Sequence, residues 1–317
     1  MQIIRGFHNL PKQFVNGCVA TIGNYDGVHL GHQQILDRLQ KKSAELKVPS
    51  LVITFMPQPE EFFTRKKPWL LTSLREKIFL FTQYGVDGIL ILIFDSRFAN
   101  ISAPDFVEKI LLVNLQVRFL VIGDDFAFGY KRQGDFAFLG RYGGNFKVEQ
   151  VPTVKIDKMR VSSSLIRLAL LRNDLETAAR FLGKAYQVNG RVIHGNNLGT
   201  DLGFPTANIY LAKRKLPLRG VFAVKIHGIA KEQLYGVANI GSRPTFGGQH
   251  ETFEVYIFDF AKNIYGKRIT VEFFKKIRTE KKFPTVKALQ LQIAKDLLQA
   301  KEMFKLPKTI FLNPTSP

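Results

Sequence analysis

Two histidines, His29 and His32, are the residues of this sequence best suited to chemistry. Leu30 and Gly31 separate them, so the stretch has the form H-x-G-H. An imidazole can donate a hydrogen bond to a phosphate oxygen, and a glycine beside it lets a phosphate come close to the backbone. These residue types at this spacing therefore predict a site that acts on the phosphate groups of a ligand.

The neighbouring residues predict how the two histidines are positioned. Val19 to Ile22 are apolar or β-branched, which is typical of a buried strand. Gly23 and Gly27 then turn the chain, and apolar residues recur at helical spacing from Gly31 onward. This order brings backbone N–H groups and a positive helix end to the carboxyl edge of the strand, which is an anion site. The alternative is a turn whose histidines only cap the helix.

The H-x-G-H stretch resembles the signature of the nucleotidyltransferase superfamily, and the longer string G-N-Y-D-G-V-H-L-G-H, from residue 23 to residue 32, looks like one version of it. It is most similar to the version in bacterial FAD synthetases, where Phe is more common than Tyr at position 25. Superfamily members transfer a nucleotidyl group from a triphosphate and release pyrophosphate. The resemblance implies that His29 and His32 are catalytic. It also implies a set of residues that bind the ATP phosphates: Gly23, Asn24, Tyr25, Asp26 and Gly31.

Length and composition limit the class of protein. The 317 residues, 45% of them hydrophobic, predict two globular domains. No apolar run reaches the roughly 18 residues of a membrane helix, and the N-terminus has no secretory pattern. The single cysteine, Cys18, excludes an internal disulfide framework and is expected to be a core residue. We therefore expect a cytoplasmic protein with no membrane partner.

The net charge of +20 has three possible sources: nucleic-acid binding, attraction of polyphosphate substrates, and general basicity of the proteome. Short basic clusters occur at 65–67, 213–215 and 281–282. None is interleaved with aromatic residues as in nucleic-acid-binding motifs. The third source is therefore favoured, and no nucleic-acid partner is expected.

The first half of the chain alternates strands and helices. Apolar runs at 51–55, 89–94 and 119–122 predict buried strands. Ser73 with Glu76 predicts a capping box, and Ser102 predicts the start of a helix with Phe106, Ile110 and Val113 on one face. This order predicts a Rossmann-like, doubly wound parallel sheet that binds ligands at the carboxyl ends of its strands.

Two later segments are expected to return to this edge. The first begins at Asp124 and follows the end of a strand. Its acidic residues have no obvious salt-bridge partners in the sequence. They could hold ligand hydroxyls or cap the next turn. The second has three serines at 162–164, then Arg167, which could bind phosphate or form an ordinary helix start with a surface arginine. Both segments resemble the FAD synthetase pattern. The resemblance implies an adenylylation or flavin loop of Asp124, Asp125, Phe126, Phe128 and Arg132, phosphate contacts from Ser163 and Ser164, and a catalytic Arg167.

A change of pattern near 182–184 predicts a domain boundary. The expected division is a nucleotidyltransferase domain at 1–184, a second domain at 185–308 and a tail at 309–317. Five short strands after the boundary predict a closed or nearly closed antiparallel β-barrel. A helix from about Thr285 to Phe304 has an apolar face that should dock on the barrel.

A second stretch, from Gly190 to Asn208, is too rich in glycine and polar residues to be core. Gly195, Gly199 and Gly203 could fold a loop over phosphates, although the Gly-Lys-Ser/Thr of a Walker A loop is missing. A threonine hydroxyl and an asparagine carbonyl are hard oxygen ligands that suit Mg²⁺ beside ATP. The residues alone leave a plain hairpin equally open.

The end of this stretch, G-F-P-T-A-N at 203–208, is similar to the riboflavin kinase signature, with further similarity at 220–224 and 236–246. The resemblance implies that Thr206 and Asn208 serve the metal and ATP. It also implies that Glu254 is the base toward the riboflavin 5′-hydroxyl. Glu251 and Glu272 are weaker candidates, and a small misalignment could exchange Glu251 with Glu254.

Together the two resemblances cover about residues 1–305 and imply a bifunctional enzyme that makes FMN from riboflavin and FAD from FMN. ATP would be a substrate of both steps, Mg²⁺ the metal, and the enzyme a monomer or a weak homo-oligomer. One alternative is transfer of a nucleotidyl group to another phosphate. A second is a nucleic-acid-binding protein on a degenerate scaffold, which would show no ATP turnover.

Overall fold

The computed structural model describes residues 1–64, 69–142, 144–195, 198–211, 214–245 and 248–307. The chain divides into two compact units, Met1–Ser163 and Ser164–Pro317. This division lies about twenty residues before the boundary expected from the sequence, and it falls inside a helix, Ser163–Leu171. The boundary at 184 therefore stays a prediction about domain organisation.

The first unit contains the predicted parallel sheet, with strand order β1-β4-β3-β2-β5-β6 and every neighbouring pair parallel. β3 and β4 lie on one side of β2, and β5 and β6 lie on the other, so the order of the strands reverses at β2. That arrangement is a topological switch point, where α/β sheets bind ligands. The strands are β1 (Gln2–Arg5), β2 (Cys18–Ile22), β3 (Ser50–Met56), β4 (Gly88–Ile93), β5 (Val117–Gly123) and β6 (Lys147–Val151).

Helices on both faces cover this sheet, and Ser73 and Glu76 form the expected capping box. One expectation fails: Val113 is 72% exposed, whereas Phe106 and Ile110 are buried. The segment Phe106–Asn114 is a π-helix, whose i→i+5 bonding rotates later residues off the face of a regular helix. The helices of this unit are α1 (Lys12–Val15), α2 (Leu30–Leu46), α3 (Pro59–Thr64), α4 (Leu74–Gln83), α5 (Ser96–Ala99), α6 (Ala103–Asp105) and α7 (Phe136–Gly140). The next helix, α8 (Ser163–Leu171), begins at the last residue of this unit and belongs otherwise to the second.

The sheet has a core on each face. One core holds Cys18, Leu51 and Phe106, and the other holds Leu36, Leu39 and Phe81. Cys18 has no exposed surface, and burial raises the pKa of its thiol to about 12. The prediction that it is a core residue is confirmed. A two-stranded ribbon, β7 (Lys155–Ile156) with β8 (Met159–Arg160), precedes the serine segment.

The second unit contains the predicted barrel, which is closed in the order β10-β13-β12-β11-β14-β9. All described neighbouring strands are antiparallel. The sequence did not predict the short strand β10, which completes the closure, because it lies within the glycine-rich stretch. The elements are α9 (Leu175–Leu182), β9 (Gln187–Ile193), α10 (Leu198–Asp201), β10 (Ala207–Tyr210), β11 (Gly220–His227), β12 (Leu234–Thr245), β13 (Gly248–Ile257), β14 (Arg268–Arg278) and α11 (Val286–Met303).

Helix α11 docks on the outside of the barrel, as the sequence predicts. Leu297 and Ala300 are buried against Val221 and Ala223 of β11. On the same helix, Asp296 is 3% exposed and accepts two 2.9 Å bonds from Nε of Arg278. Within the described ranges, no helix has the length and apolar character needed to span a membrane.

Candidate active sites

The loop at 23–28, between β2 and α2, is held in place by Asp26. This carboxylate is 2% exposed and accepts bonds from the backbone N–H groups of Leu71 (3.1 Å) and Thr72 (2.9 Å). The Thr72 hydroxyl donates to the same carboxylate at 3.1 Å and accepts from the N–H of Gly27 at 2.8 Å. Asp26 therefore shapes the loop, and its expected part in phosphate binding stays a prediction.

The same loop has an unusual backbone conformation. Tyr25, Gly27 and Val28 have φ values of 51°, 86° and 42°. A β-branched residue such as valine is a clear outlier in this region, and such conformations persist only where the surroundings enforce them. The Tyr25 side chain is 1% exposed and its hydroxyl lies 2.6 Å from that of Thr21. Any contact of Tyr25 with a nucleotide is therefore expected through its backbone.

His29 and His32 lie where the loop enters α2. His29 is the N-cap residue, and its Nδ1 accepts a bond from the backbone N–H of His32 at 3.4 Å. The rings stack with centroids 3.6 Å apart. The capping role that the sequence left open is therefore present. Capping does not use His32 Nδ1, which is buried without a hydrogen-bond partner among the described residues. A buried ring nitrogen without a hydrogen-bond partner is a position where a ligand or a water would bind.

Both imidazoles are held in the neutral form. Burial lowers the pKa of His29 to about 4, against a smaller opposing effect of Asp26. Burial also places the pKa of His32 well below its ordinary value, and the positive charge of Lys77 acts in the same direction. A neutral imidazole has one donor and one acceptor nitrogen. Near neutral pH the pair can therefore donate hydrogen bonds to phosphate oxygens without carrying charge.

Two cationic residues near the histidines were not singled out from the sequence. Lys77 lies on the buried face of α4, and its Nζ donates to the carbonyl of Asn24 at 2.9 Å. Arg160, at the end of β8, lowers the pKa of His29 by its charge. The sequence could have indicated Lys77, because it is a charged residue at a helical position that faces the core. Arg160 had no such signal, because its position depends on the β7–β8 ribbon.

The expectation that Asp124 and Asp125 are surplus to any salt bridge is wrong. Arg160 pairs with Asp124 at 3.2 Å and with Asp125 at 2.6 Å. The arginine comes from a segment more than thirty residues later, so the sequence alone could not pair them. Arg132 is also close, donating to the backbone carbonyl of Asp125 at 3.4 Å. The expected roles of these residues in binding flavin stay predictions.

The two phenylalanines of this loop differ in exposure. Phe128 is buried, packs against Phe106 with ring centroids 5.0 Å apart, and exchanges two 2.9 Å backbone bonds with Gly134. Phe126 is half-buried and stacks on Phe128 at 5.5 Å. Phe128 therefore anchors the loop, and Phe126 has the surface that a ligand could reach.

The serine segment joins the first site through Ser163, whose hydroxyl donates to the backbone carbonyl of Asp26 at 2.8 Å. Gly31 is packed closely here, since a Cβ on it would lie 3.3 Å from the His29 ring. Ser164 and Arg167 belong to the second unit. Their expected contact with the nucleotide at the histidines stays a prediction.

The second site lies on the barrel, where three polar residues form a row across adjacent strands. Glu254 of β13 pairs in register with Asn208 of β10 and with Asn239 of β12. Residues paired in this way share one face of a sheet. All three are half-buried, and the next residue on each strand faces the core, as Val255 and Ile209 do. Asn208 and Glu254, predicted from distant parts of the sequence, are thus brought together.

The glycine loop approaches the same row. A Cβ on Gly195 would overlap the Asn208 amide, and one on Gly199 would lie 2.8 Å from the Thr206 hydroxyl. Gly203 has a φ of 84° and open space around it. The loop therefore packs against both predicted metal ligands, and only glycine permits this approach at 195 and 199. Asn196 and Asn197 lie outside the described residues.

The weaker candidates for the base are placed differently. Glu272, on β14, accepts a 2.9 Å bond from Gln187 and pairs with Lys225 at 3.4 Å and His227 at 3.2 Å. Its carboxylate is thus occupied on another part of the barrel. The side chain of Glu251 lies outside the described residues. In the described part of the chain, no three His, Cys, Asp or Glu side chains form a group that could hold a metal.

Two family models match separate parts of the chain. Residues 12–165 match the family model of FAD synthetase, and residues 182–304 match that of riboflavin kinase. A curated relative from Haemophilus influenzae, named bifunctional riboflavin kinase/FMN adenylyltransferase, is 48% identical over 96% of this chain and 99% of that protein. A protein of the same name from Escherichia coli K12 is 44% identical over 97% of this chain and 99% of its own.

A solved structure from Streptococcus pneumoniae, described as a macrolide-efflux protein, has a TM-score of 0.80 to this chain. It is 29% identical and covers 93% of this chain and 97% of its own. The two units thus occur together in an experimentally determined fold.

Proposed function

The chain belongs to the bifunctional riboflavin kinase/FMN adenylyltransferase family, and we propose that it carries out both reactions at two separate sites. The second unit phosphorylates riboflavin to FMN with ATP. The first unit transfers the adenylyl group of ATP to FMN, which gives FAD and pyrophosphate. One observation carries this proposal: the chain has two separate clusters of polar residues, each within the residues that one family model matches. One cluster lies at the switch point of the parallel sheet, and the other lies on the barrel.

In the adenylyl transfer, an oxygen of the FMN phosphate attacks the α-phosphorus of ATP, and the bond from that phosphorus to the leaving pyrophosphate breaks. His29 and His32 donate hydrogen bonds to the reacting phosphates from the start of α2, where the helix end also favours negative charge. Gly31, Ser163, Ser164 and Arg167 complete the phosphate contacts. Because neutral imidazoles and backbone N–H groups are fixed before the ligand binds, catalysis is positioning and charge stabilisation without a covalent intermediate.

In the kinase reaction, the riboflavin 5′-hydroxyl attacks the γ-phosphorus and ADP leaves. Glu254 accepts the proton or orients the hydroxyl. The glycine loop at 195–203 covers the phosphates. Thr206 and Asn208 would hold Mg²⁺, because both offer neutral oxygen donors and Asn208 pairs in register with Glu254. When bound, the metal neutralises charge on the nucleotide phosphates.

We further propose that the enzyme works as a monomer or weak homo-oligomer, since the residues assigned to both reactions come from one chain. The lysine clusters lack the aromatic residues of nucleic-acid motifs, which supports small molecules as the substrates. A cytoplasmic location fits a protein that consumes ATP and whose only cysteine is a buried thiol.

A time course with riboflavin, ATP and Mg²⁺, with the flavins separated by chromatography, tests this proposal. We expect FMN to appear first and FAD to follow as FMN declines. His32→Ala should stop FAD formation and leave FMN formation unchanged, whereas Glu254→Gln should do the reverse when FMN is supplied. A His32→Ala protein that stays folded and loses both reactions would refute the assignment of two sites.

A further inference from the structure

Lys77 is a buried cation that none of the reactions above uses. It directly follows Glu76 of the capping box in α4, and the residue is only 4% exposed. Removing an ammonium group from water is costly unless it gains partners. Its Nζ donates at 2.9 Å to the backbone carbonyl of Asn24, in the loop that leads to the histidines. Burial lowers the pKa of Lys77, and the Asp26 carboxylate opposes that effect.

The segment at 71–77 therefore holds the loop at two points. Its start binds the Asp26 carboxylate through the backbone N–H groups of Leu71 and Thr72, and its end binds the Asn24 carbonyl through Lys77. Two contacts on residues 24 and 26 fix the stretch that contains the strained backbone of Tyr25. Such conformations persist only where the surrounding structure holds them.

The charge of Lys77 also acts on His32. Four groups face one another here: Asp26 from the loop, Lys77 from α4, and His29 and His32 from the start of α2. Arg160, from β8, acts on His29 alone. After burial and His29, Lys77 is the third influence on His32, the histidine whose buried Nδ1 has no partner in the described structure.

We propose that Lys77 is a positioning residue of the adenylyltransferase site, whose buried ammonium fixes the Asn24 carbonyl and supplies a positive charge beside His32. The inference rests on the proposed function of that site. The hydrogen bond holds the loop at Asn24, and the charge adds to the burial that keeps His32 neutral before the triphosphate arrives. The arriving phosphates then meet a positive potential that needs no proton uptake, which is the preorganisation that favours charge stabilisation.

The test compares three variants in the flavin assay, with the kinase reaction of the same chain as an internal control. Lys77→Met removes the bond and the charge, Lys77→Gln keeps a donor and removes only the charge, and Arg75→Met removes an exposed charge from the same helix. We expect FAD formation from FMN to fall at least tenfold in Lys77→Met, to recover in part in Lys77→Gln, and to stay within twofold in Arg75→Met. FMN formation should stay within twofold in all three.

The pH profile separates positioning from a loss of packing. Without the charge of Lys77, His32 protonates more easily, so the acid limb of FAD formation should move to higher pH in both Lys77 variants and stay in place in Arg75→Met. If Lys77→Met does not fold, Lys77→Gln alone must show this shift. An unshifted acid limb, or undiminished FAD formation in Lys77→Met, overturns the inference. A wild-type chain that makes no FAD would instead refute the proposed function.

Discussion

The replacement Asp26→Asn removes one acceptor from the network that shapes the first site and changes almost nothing in size. In the native protein one carboxylate oxygen accepts from Leu71 N–H, and the other accepts from the N–H and hydroxyl of Thr72. An amide has only one oxygen, so its NH₂ group must face at least one of these donors. The smallest loss occurs when the NH₂ group faces Leu71, because a single charge-assisted bond then disappears.

The expected size of this loss follows from that single bond. A buried hydrogen bond to a charged group contributes about 1.5–3 kcal/mol. For a domain of about 150–250 residues, each kcal/mol lowers Tm by about 2–4 °C, so the first unit should melt about 3–12 °C lower. The strained loop should also relax, and FAD formation should fall while FMN formation does not.

The assay uses the single tryptophan of the chain, Trp69, which lies two residues before Leu71 in the first unit. Its fluorescence during heating reports the unit that contains the network. The matched control is Asp37→Asn, the same chemical change at an exposed position of α2. If Asp26→Asn melted within 1 °C of Asp37→Asn and made FAD at the wild-type rate, the Asp26 network would not shape the site as argued.

Three other predictions follow from the structure. Asp296→Ala leaves Arg278, whose side chain is 15% exposed, without its carboxylate, so the second unit should lose up to about 3 kcal/mol of stability in urea unfolding, the lower end for a buried pair; a loss below about 1 kcal/mol would contradict this. Gly199→Ala places a Cβ 2.6 Å from the Phe204 carbonyl and 2.8 Å from the Thr206 hydroxyl, so FMN formation should fall more than tenfold while FAD formation from FMN persists. The pKa of His29 is about 4 in the folded protein against an ordinary 6.5. The unfolded chain therefore binds the extra proton first, and His29 should cost the first unit about 3 kcal/mol of stability as the pH drops from about 6.5 to about 4; a His29→Asn variant should lose this contribution and keep only that of His32, whose pKa is also lowered.

Local sequence patterns predicted the regular elements well where one physical signal dominates. The apolar runs of the central strands, the capping box at Ser73 and the amphipathic α11 each form with bounds close to those expected. The outer strands β1 and β6 were missed because both are largely exposed and lack an apolar run. Val113 was placed wrongly because a π-helix follows a different repeat from the one assumed.

The site residues also fall into two groups, those that a local motif reveals and those whose partners are distant in the sequence. The histidines, the glycine loop and Glu254 lie in motifs that a sequence can reveal, and the structure places Glu254 beside Asn208. The partners of Asp26 and the ion pairs of Arg160 depend on residues more than thirty positions apart. No local pattern encodes such contacts, because they arise only when the strands and ribbons assemble.

The most direct test of the central claim, two reactions at two sites, is a mixing experiment. His32→Ala and Glu254→Gln are each incubated with riboflavin, ATP and Mg²⁺, alone and together, and the flavins are followed by chromatography. We predict that His32→Ala alone stops at FMN, that Glu254→Gln alone leaves riboflavin unchanged, and that the mixture makes FAD. A mixture of folded variants that makes no FAD, or a single variant that makes FAD at the wild-type rate, would contradict the account.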